Sequence, residues 1–277
     1  MNRQPAVAGQ FYAGSERALI EQIEAAFEHR MGPGTVPAVD SSGELPTAVV
    51  SPHAGYPYSG PIAAHGFARL ARGGRPEAVV LVGPNHGRGG APLAISGADG
   101  WQTPLGEVPI HDGIRSSLAS APGFEVDERT HAGEHSLEVQ VPLLQFLFDD
   151  LPIVPVLMSR QDEERIERTV SGLTDSLGDE RDIVLLASTD LTHYEPQMRA
   201  KEADSVIREA IEDLDAAAIM EAARSGHTMC GAGPTAAVLR ASRELGAREG
   251  TVLAYGTSGD TAGSTDSVVG YVSATVE

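Results

Sequence analysis

The sequence predicts an α/β fold in which a central sheet, largely parallel with mixed additions, is sandwiched by helices. Three short apolar runs carry that prediction: 47–50 (TAVV), 78–82 (AVVLV) and 183–187 (IVLLA). Their length and β-branched content suit strands buried on both faces of a parallel sheet. Each run stops abruptly and is followed by a histidine, in Ser51-Pro52-His53, in Gly83-Pro84-Asn85-His86 and in Ser188-Thr189-Asp190-Leu191-Thr192-His193. The segments between them space their apolar residues by three and four, as helices covering a sheet do. In open α/β sheets ligands bind at the carboxyl ends of the strands, so three histidines are delivered to the edge where chemistry is expected.

Taken in order, the chain first shows Ser15 as a helix cap followed by Leu19, Ile20, Ile23 and Phe27 on one face, an amphipathic helix expected to lie on the sheet. Residues 31–45, rich in Gly, Pro and Ser, read as a loop and as the most mobile segment. Pro52 ends the first strand. Gly60-Pro61 opens the next helix, with Ala64, Phe67, Ala68 and Leu70 as its buried stripe and His65 as a packing or surface residue. Gly87-Arg88-Gly89-Gly90 is a turn that lets backbone approach a ligand. It is not a nucleotide motif, because neither GxxxxGK[ST] nor GxGxxG occurs. Residues 92–96 read as a strand. Residues 101–110 read as a hairpin, with Trp101 assigned to the core.

After His131 comes an apolar helix over 137–148, which Pro142 either kinks or begins. Strand 152–158 contains Pro155, which argues for an edge or bulge position. A helix at 163–177 leads to the third histidine strand. Two helices follow, 199–214 and 215–223, the second capped by Asp215, with Val206, Ile207, Ala210, Ile211, Leu214, Ile219 and Met220 expected inside. A helix beginning near Gly233-Pro234 runs to Leu245. Strands 252–255 and 267–273 close the chain around the loop 256–260, and no internal repeat is visible.

At 277 residues and 41% hydrophobic content the chain suits one large domain, 1–277. No run approaches the roughly eighteen apolar residues of a membrane span, and the amino terminus lacks a secretion signal, so a cytoplasmic location is expected. Cys230 is the one cysteine, which rules out an intrachain disulfide and a thiolate cluster. With 39 acidic against 20 basic residues, net charge −19 and Lys201 the sole lysine, the surface repels phosphate backbones and no nucleic-acid partner is expected. Such a surface reads as a solvated acidic skin adapted to a salty, halophilic cytoplasm, where screening relieves self-repulsion.

Asp190 and His193 after a buried strand, together with His53 and His86, form a plausible ligand set for non-haem iron, with copper or zinc as alternatives. Spacing alone leaves two readings open, that the three loops meet or that they do not. Cys230, placed before a helix start, is either activated by the helix dipole or buried and inert. Glu134 and His135 read either as a helix-start cap or as a catalytic acid and base.

The ordered motifs QPAVAGQFY (from Gln4), SPHAGYPYSG, GPNH, EHSLEVQVPLLQ, STDLTHYE, MCGAGP and YGTSGD resemble the MEMO family, including prokaryotic members called AmmeMemoRadiSam system protein B. The resemblance covers essentially the whole chain. It implies a fold similar to class III extradiol ring-cleaving dioxygenases. It also implies His53, His86 and His193 as the metal histidines, Cys230 approaching them, and Asp190 and His135 in or beside the pocket. Iron is the metal implied, with copper second. Three functions follow from the resemblance. The first is an iron oxygenase taking a small-molecule substrate and dioxygen, with His135 or Glu134 as acid or base. The second is a noncatalytic adaptor, as in an animal relative that binds phosphotyrosine peptides; the acidic charge of this chain argues against that ligand. The third is a subunit working with radical S-adenosylmethionine and AMMECR-type proteins.

Overall fold

The computed structural model describes residues 1–40, 43–87, 89–178 and 182–277. Ser41 and Ser42 of the expected loop, and Arg88 of the expected glycine turn, lie outside the described residues. In chain order the elements are α1 (Glu16–Glu28), β1 (Ala48–Ser51), α2 (Tyr56–Gly73), β2 (Ala78–Pro84), β3 (Leu93–Ile95), β4 (Gly100–Thr103), β5 (Gly106–Pro109), α3 (Asp112–Ser120), β6 (Phe124–Val126), α4 (Glu128–His131), α5 (Val141–Phe148), β7 (Ile153–Met158), α6 (Glu163–Leu177), β8 (Ile183–Ser188), β9 (His193–Glu195), α7 (Gln197–Glu212), α8 (Ala216–Arg224), α9 (Ala232–Glu244), β10 (Gly250–Thr257), α10 (Ser258–Ala262) and β11 (Val268–Val276). Among the described residues no helix is long and apolar enough to cross a membrane.

The sheet runs β10-β11-β1-β8-β2-β7-β3-β6, with β9 added to β11. Its middle, β1-β8-β2-β7, is parallel, while β11 joins β1 and β3 joins β7 antiparallel. The three histidine-bearing strands are therefore immediate neighbours whose carboxyl ends share an edge. Side chains alternate along them between two cores. Val50, Val80, Val82 and Leu185 face α6, α7 and α9, while Val49, Val79, Leu81 and Leu186 face α2, α5 and the β4-β5 hairpin. Burial on both faces explains why these strands are apolar throughout rather than alternating.

Several expectations change in the tertiary setting, while those for Pro142, Trp101 and His65 hold. Helix α1 packs against α2 and α5, as an outer layer, instead of lying directly on the sheet. Helix α2 begins at Tyr56, with Pro57 in its first turn; Pro61 falls inside it. Pro142 marks the true first turn of α5, preceded by a 3-10 turn at Glu138–Gln140. Pro155 is not at an edge, since β7 lies between β2 and β3. Its carbonyl accepts from Ser96 N (3.1 Å), one residue past the end of β3, so the one bond its missing N–H forgoes is the reciprocal bond at the frayed end of that pairing. Val206 is 49% exposed on the outer side of α7, while Asp204 is buried on the inward face with Ile207 and Ile211. Strand β10 extends through Thr257, and the end of the loop expected there folds into the short helix α10 under a Thr257/Asp260 capping box. Trp101 is core, 2% exposed, and His65 packs with Nε2 3.0 Å from Met31 O.

Candidate metal centre

His53 stands two residues beyond β1 and His86 two beyond β2, where Pro52 and Pro84 end their strands. The segment 131–136 crosses the same edge because Ser136 Oγ donates to Pro84 O at 2.7 Å. That bond brings a third imidazole, His135, over the end of β2. One ring nitrogen from each of His53, His86 and His135 lies within 4.8 Å of the others. The ring centroids are 5.3 Å (His53 to His86), 5.5 Å (His53 to His135) and 4.6 Å (His86 to His135) apart. His193, expected to complete the trio, stands outside this cluster. After β8 the chain turns into β9 and pairs with β11, and His193 Nδ1 is engaged by Leu191 O (2.7 Å) and Thr228 O (2.9 Å). The geometry therefore groups His135, expected as an acid or base, with His53 and His86.

Hydrogen-bond accounting fixes which nitrogen of His53 is available. Ser188 Oγ has one proton, donated to Ser136 O (2.7 Å), and accepts from Gln140 Nε2 (2.8 Å). Its remaining lone pair accepts from His53 Nδ1 (2.9 Å), so the proton is on Nδ1 and Nε2 offers a lone pair. Burial holds the His53 imidazole well below its usual pKa, and His135 and His86 push the same way, which keeps it neutral.

His86 Nδ1 donates to Glu134 Oε1 at 3.0 Å, and Glu134 also accepts from the backbone N–H of His86, His135 and Ser136. Burial works to raise the Glu134 carboxyl, yet the His86 contact and these backbone donors hold it well below the carboxylate range. Burial likewise works to lower His86, but the Glu134 bond and charge outweigh it and raise that imidazole. His135 Nδ1 lies 3.3 Å from the same oxygen, while burial lowers its imidazole. Glu134 is thus an ionised acceptor that orients the His86 imidazole and lies beside that of His135, the position a carboxylate takes behind histidines able to hold a metal. It is poorly placed to act as an acid.

Cys230 Sγ lies 3.2 Å from His53 Nε2. Contrary to the helix-dipole expectation, burial and then the Asp190 charge push its thiol up to about 12. Asp190, also expected as catalytic, accepts from His53 N (2.8 Å) through Oδ1, and burial raises its carboxyl. Its first role is therefore to hold the His53 backbone.

The sequence profile of Memo-like proteins matches residues 3–275. This chain belongs to the Memo-like family. It is similar to a MEMO1 family protein of Methanopyrus kandleri (42% identity, 98% of this chain and 97% of the relative), one of Thermotoga maritima (41%, 99% of each) and one of Metallosphaera sedula (39%, 98% of each).

Two residues of this Memo-family chain that shape the site escaped the sequence reading. Arg3 and Glu138 form a buried pair (2.8 Å; side chains 2% and 1% exposed). Arg3 also donates to His131 O and Glu134 O, both at 2.8 Å, and lies 4.2 Å above the Trp101 ring. Glu138 accepts from Ala6 N (2.8 Å), Val7 N (3.0 Å) and Tyr12 Oη (2.7 Å). The amino-terminal motif is thereby strapped over the segment carrying Glu134 and His135, and Phe11 comes to rest against the His135 ring at 4.7 Å. The available signal was a lone glutamate inside the apolar run SLEVQVPLL, which requires a buried cationic partner. A cleft of about 520 Å³, lined by Asn85, Gly89, Arg129, Thr130 and Glu134 among others, opens beside the His86 loop.

Proposed function

We propose that this Memo-family protein holds a redox-active metal ion at its sheet edge through His53, His86 and His135, with the Cys230 thiol as a fourth donor. The observation that carries this reading is the trio of ring nitrogens within 4.8 Å of one another. The outward nitrogen of His53 is left free for a ligand bond by Ser188. Imidazoles with a soft thiolate suit iron, copper or zinc, and the family resemblance favours iron with copper second. Bound there, such an ion supplies a Lewis acid and one-electron redox chemistry to a small molecule or to dioxygen. The chain's own residues orient the imidazoles through Glu134 and Ser188, keep His53 neutral by burial, and leave access on the side of His86, whose side chain is 37% exposed.

The test is metal analysis of protein purified without oxygen, followed by oxygen uptake with catechol-like substrates. Stoichiometric iron with uptake supports an oxygenase, and iron without turnover supports redox handling. Absence of any metal in every preparation overturns the reading.

A further inference from the structure

The segment 227–231 that presents Cys230 lies between α8 and α9 without helix or strand, and side chains from two other elements grip it. The first grip is Asp204 on α7, which is fully buried. Its Oδ1 accepts from Thr192 N (3.0 Å), Thr192 Oγ1 (2.6 Å) and His227 Nε2 (3.0 Å), while Oδ2 accepts from Tyr255 Oη (2.7 Å). His227 Nδ1 accepts from Met229 N at 3.1 Å, so the ring proton sits on Nε2 and points at Asp204. The imidazole is a neutral bridge from a buried carboxylate to the backbone one residue before Cys230. Thr228 Oγ1 accepts from His193 N at 2.7 Å, tying the same segment to the turn after β8.

The second grip is Gln161, just beyond β7. Its Nε2 donates to Cys230 O and its Oε1 accepts from Gly233 N, both at 2.7 Å. The two grips flank the thiol. Between them the chain has no room to shift, since a Cβ at Gly231 would lie 2.5 Å from Ser188 O. Apart from Gln161 Oε1, which also caps the first turn of α9 at Gly233 N, these bonds lie outside helices and sheet ladders and hold the loop itself.

We propose that Asp204, acting through His227, and Gln161 are positioning residues that fix the Cys230 thiol against His53 Nε2. This deepens the metal-centre reading, but its test uses metal-free protein, so either idea can fail without the other. Because Cys230 is the one cysteine, its reaction with an aromatic disulfide reagent reports on this segment alone. The wild-type thiol is expected to react slowly. Asp204→Asn and Gln161→Ala are each expected to react at least about tenfold faster through local opening, and the double variant faster still. Leu118→Ala in α3, packed on α6 and β6, serves as a destabilised control and should stay near the wild-type rate. If the buried Asp204→Asn protein does not fold, the half-buried Gln161→Ala decides alone. Wild-type rates in the folded variants, or equal acceleration in Leu118→Ala, overturn the proposal.

Discussion

Glu138→Gln is the sharpest test of how the amino-terminal strap is held. The substitution keeps the shape of the side chain and removes its charge, leaving the Arg3 guanidinium buried at 5% exposure without its partner. Breaking one side of a buried ion pair costs about 3–5 kcal/mol. The new amide also faces donors that now bond carboxylate oxygens, namely Ala6 N, Val7 N and Tyr12 Oη, and each lost bond adds about 1 kcal/mol. The expected loss is therefore at the upper end of that range. For a chain of this size it corresponds to a fall in Tm of about 10 °C or more. Calorimetry and urea unfolding measure it. Adding Arg3→Met should recover part of the loss, because an apolar side chain over Trp101 removes the orphaned charge. A loss below about 1 kcal/mol, the range of an exposed pair, would refute the argument that this pair is what fastens the strap.

Further outcomes are expected elsewhere in the molecule. His53→Ala and His86→Ala should each lose stoichiometric metal, whereas His193→Ala should retain it; metal content by elemental analysis decides, and full retention in either of the first two contradicts the site. Burial pushes the His131 imidazole down to about 4. Its folded pKa is below the unfolded value of about 6.5, so stability fully present above that value is lost as pH falls towards 4, by about 3 kcal/mol. Denaturant unfolding of His131→Gln across this window should show about one proton less of pH dependence; identical slopes would count against it. Gly270→Ala places a Cβ 2.0 Å from Asp204 Oδ2. It should cost about 1–3 kcal/mol in urea unfolding and accelerate Cys230 labelling, and neutrality in both would contradict the packing described. With net charge −19, Tm should rise with added salt as self-repulsion is screened; a flat salt profile argues against the halophilic expectation.

The sequence by itself determined the three buried strands, their abrupt stops and the delivery of His53 and His86 to one edge. These features are local: β-branched runs, Pro52 and Pro84 act on residues within a few positions, and composition records such effects directly. The helices at 163–177 and 215–223 were legible for the same reason, from apolar spacing and an aspartate cap. Only the tertiary structure decided that His135 and not His193 joins the pair, because a Ser136–Pro84 bond draws one loop inward and β9–β11 pairing draws the other aside. It alone decided that Asp204 turns inward while Val206 faces water. A helical pattern places charges outside, but four donors from Thr192, His227 and Tyr255 converge on that carboxylate. The same holds for Arg3 and Glu138, whose burial depends on each other across most of the chain. Where a strand ends depends on its neighbours in sequence; which side chains lean over that end depends on partners that only folding brings together.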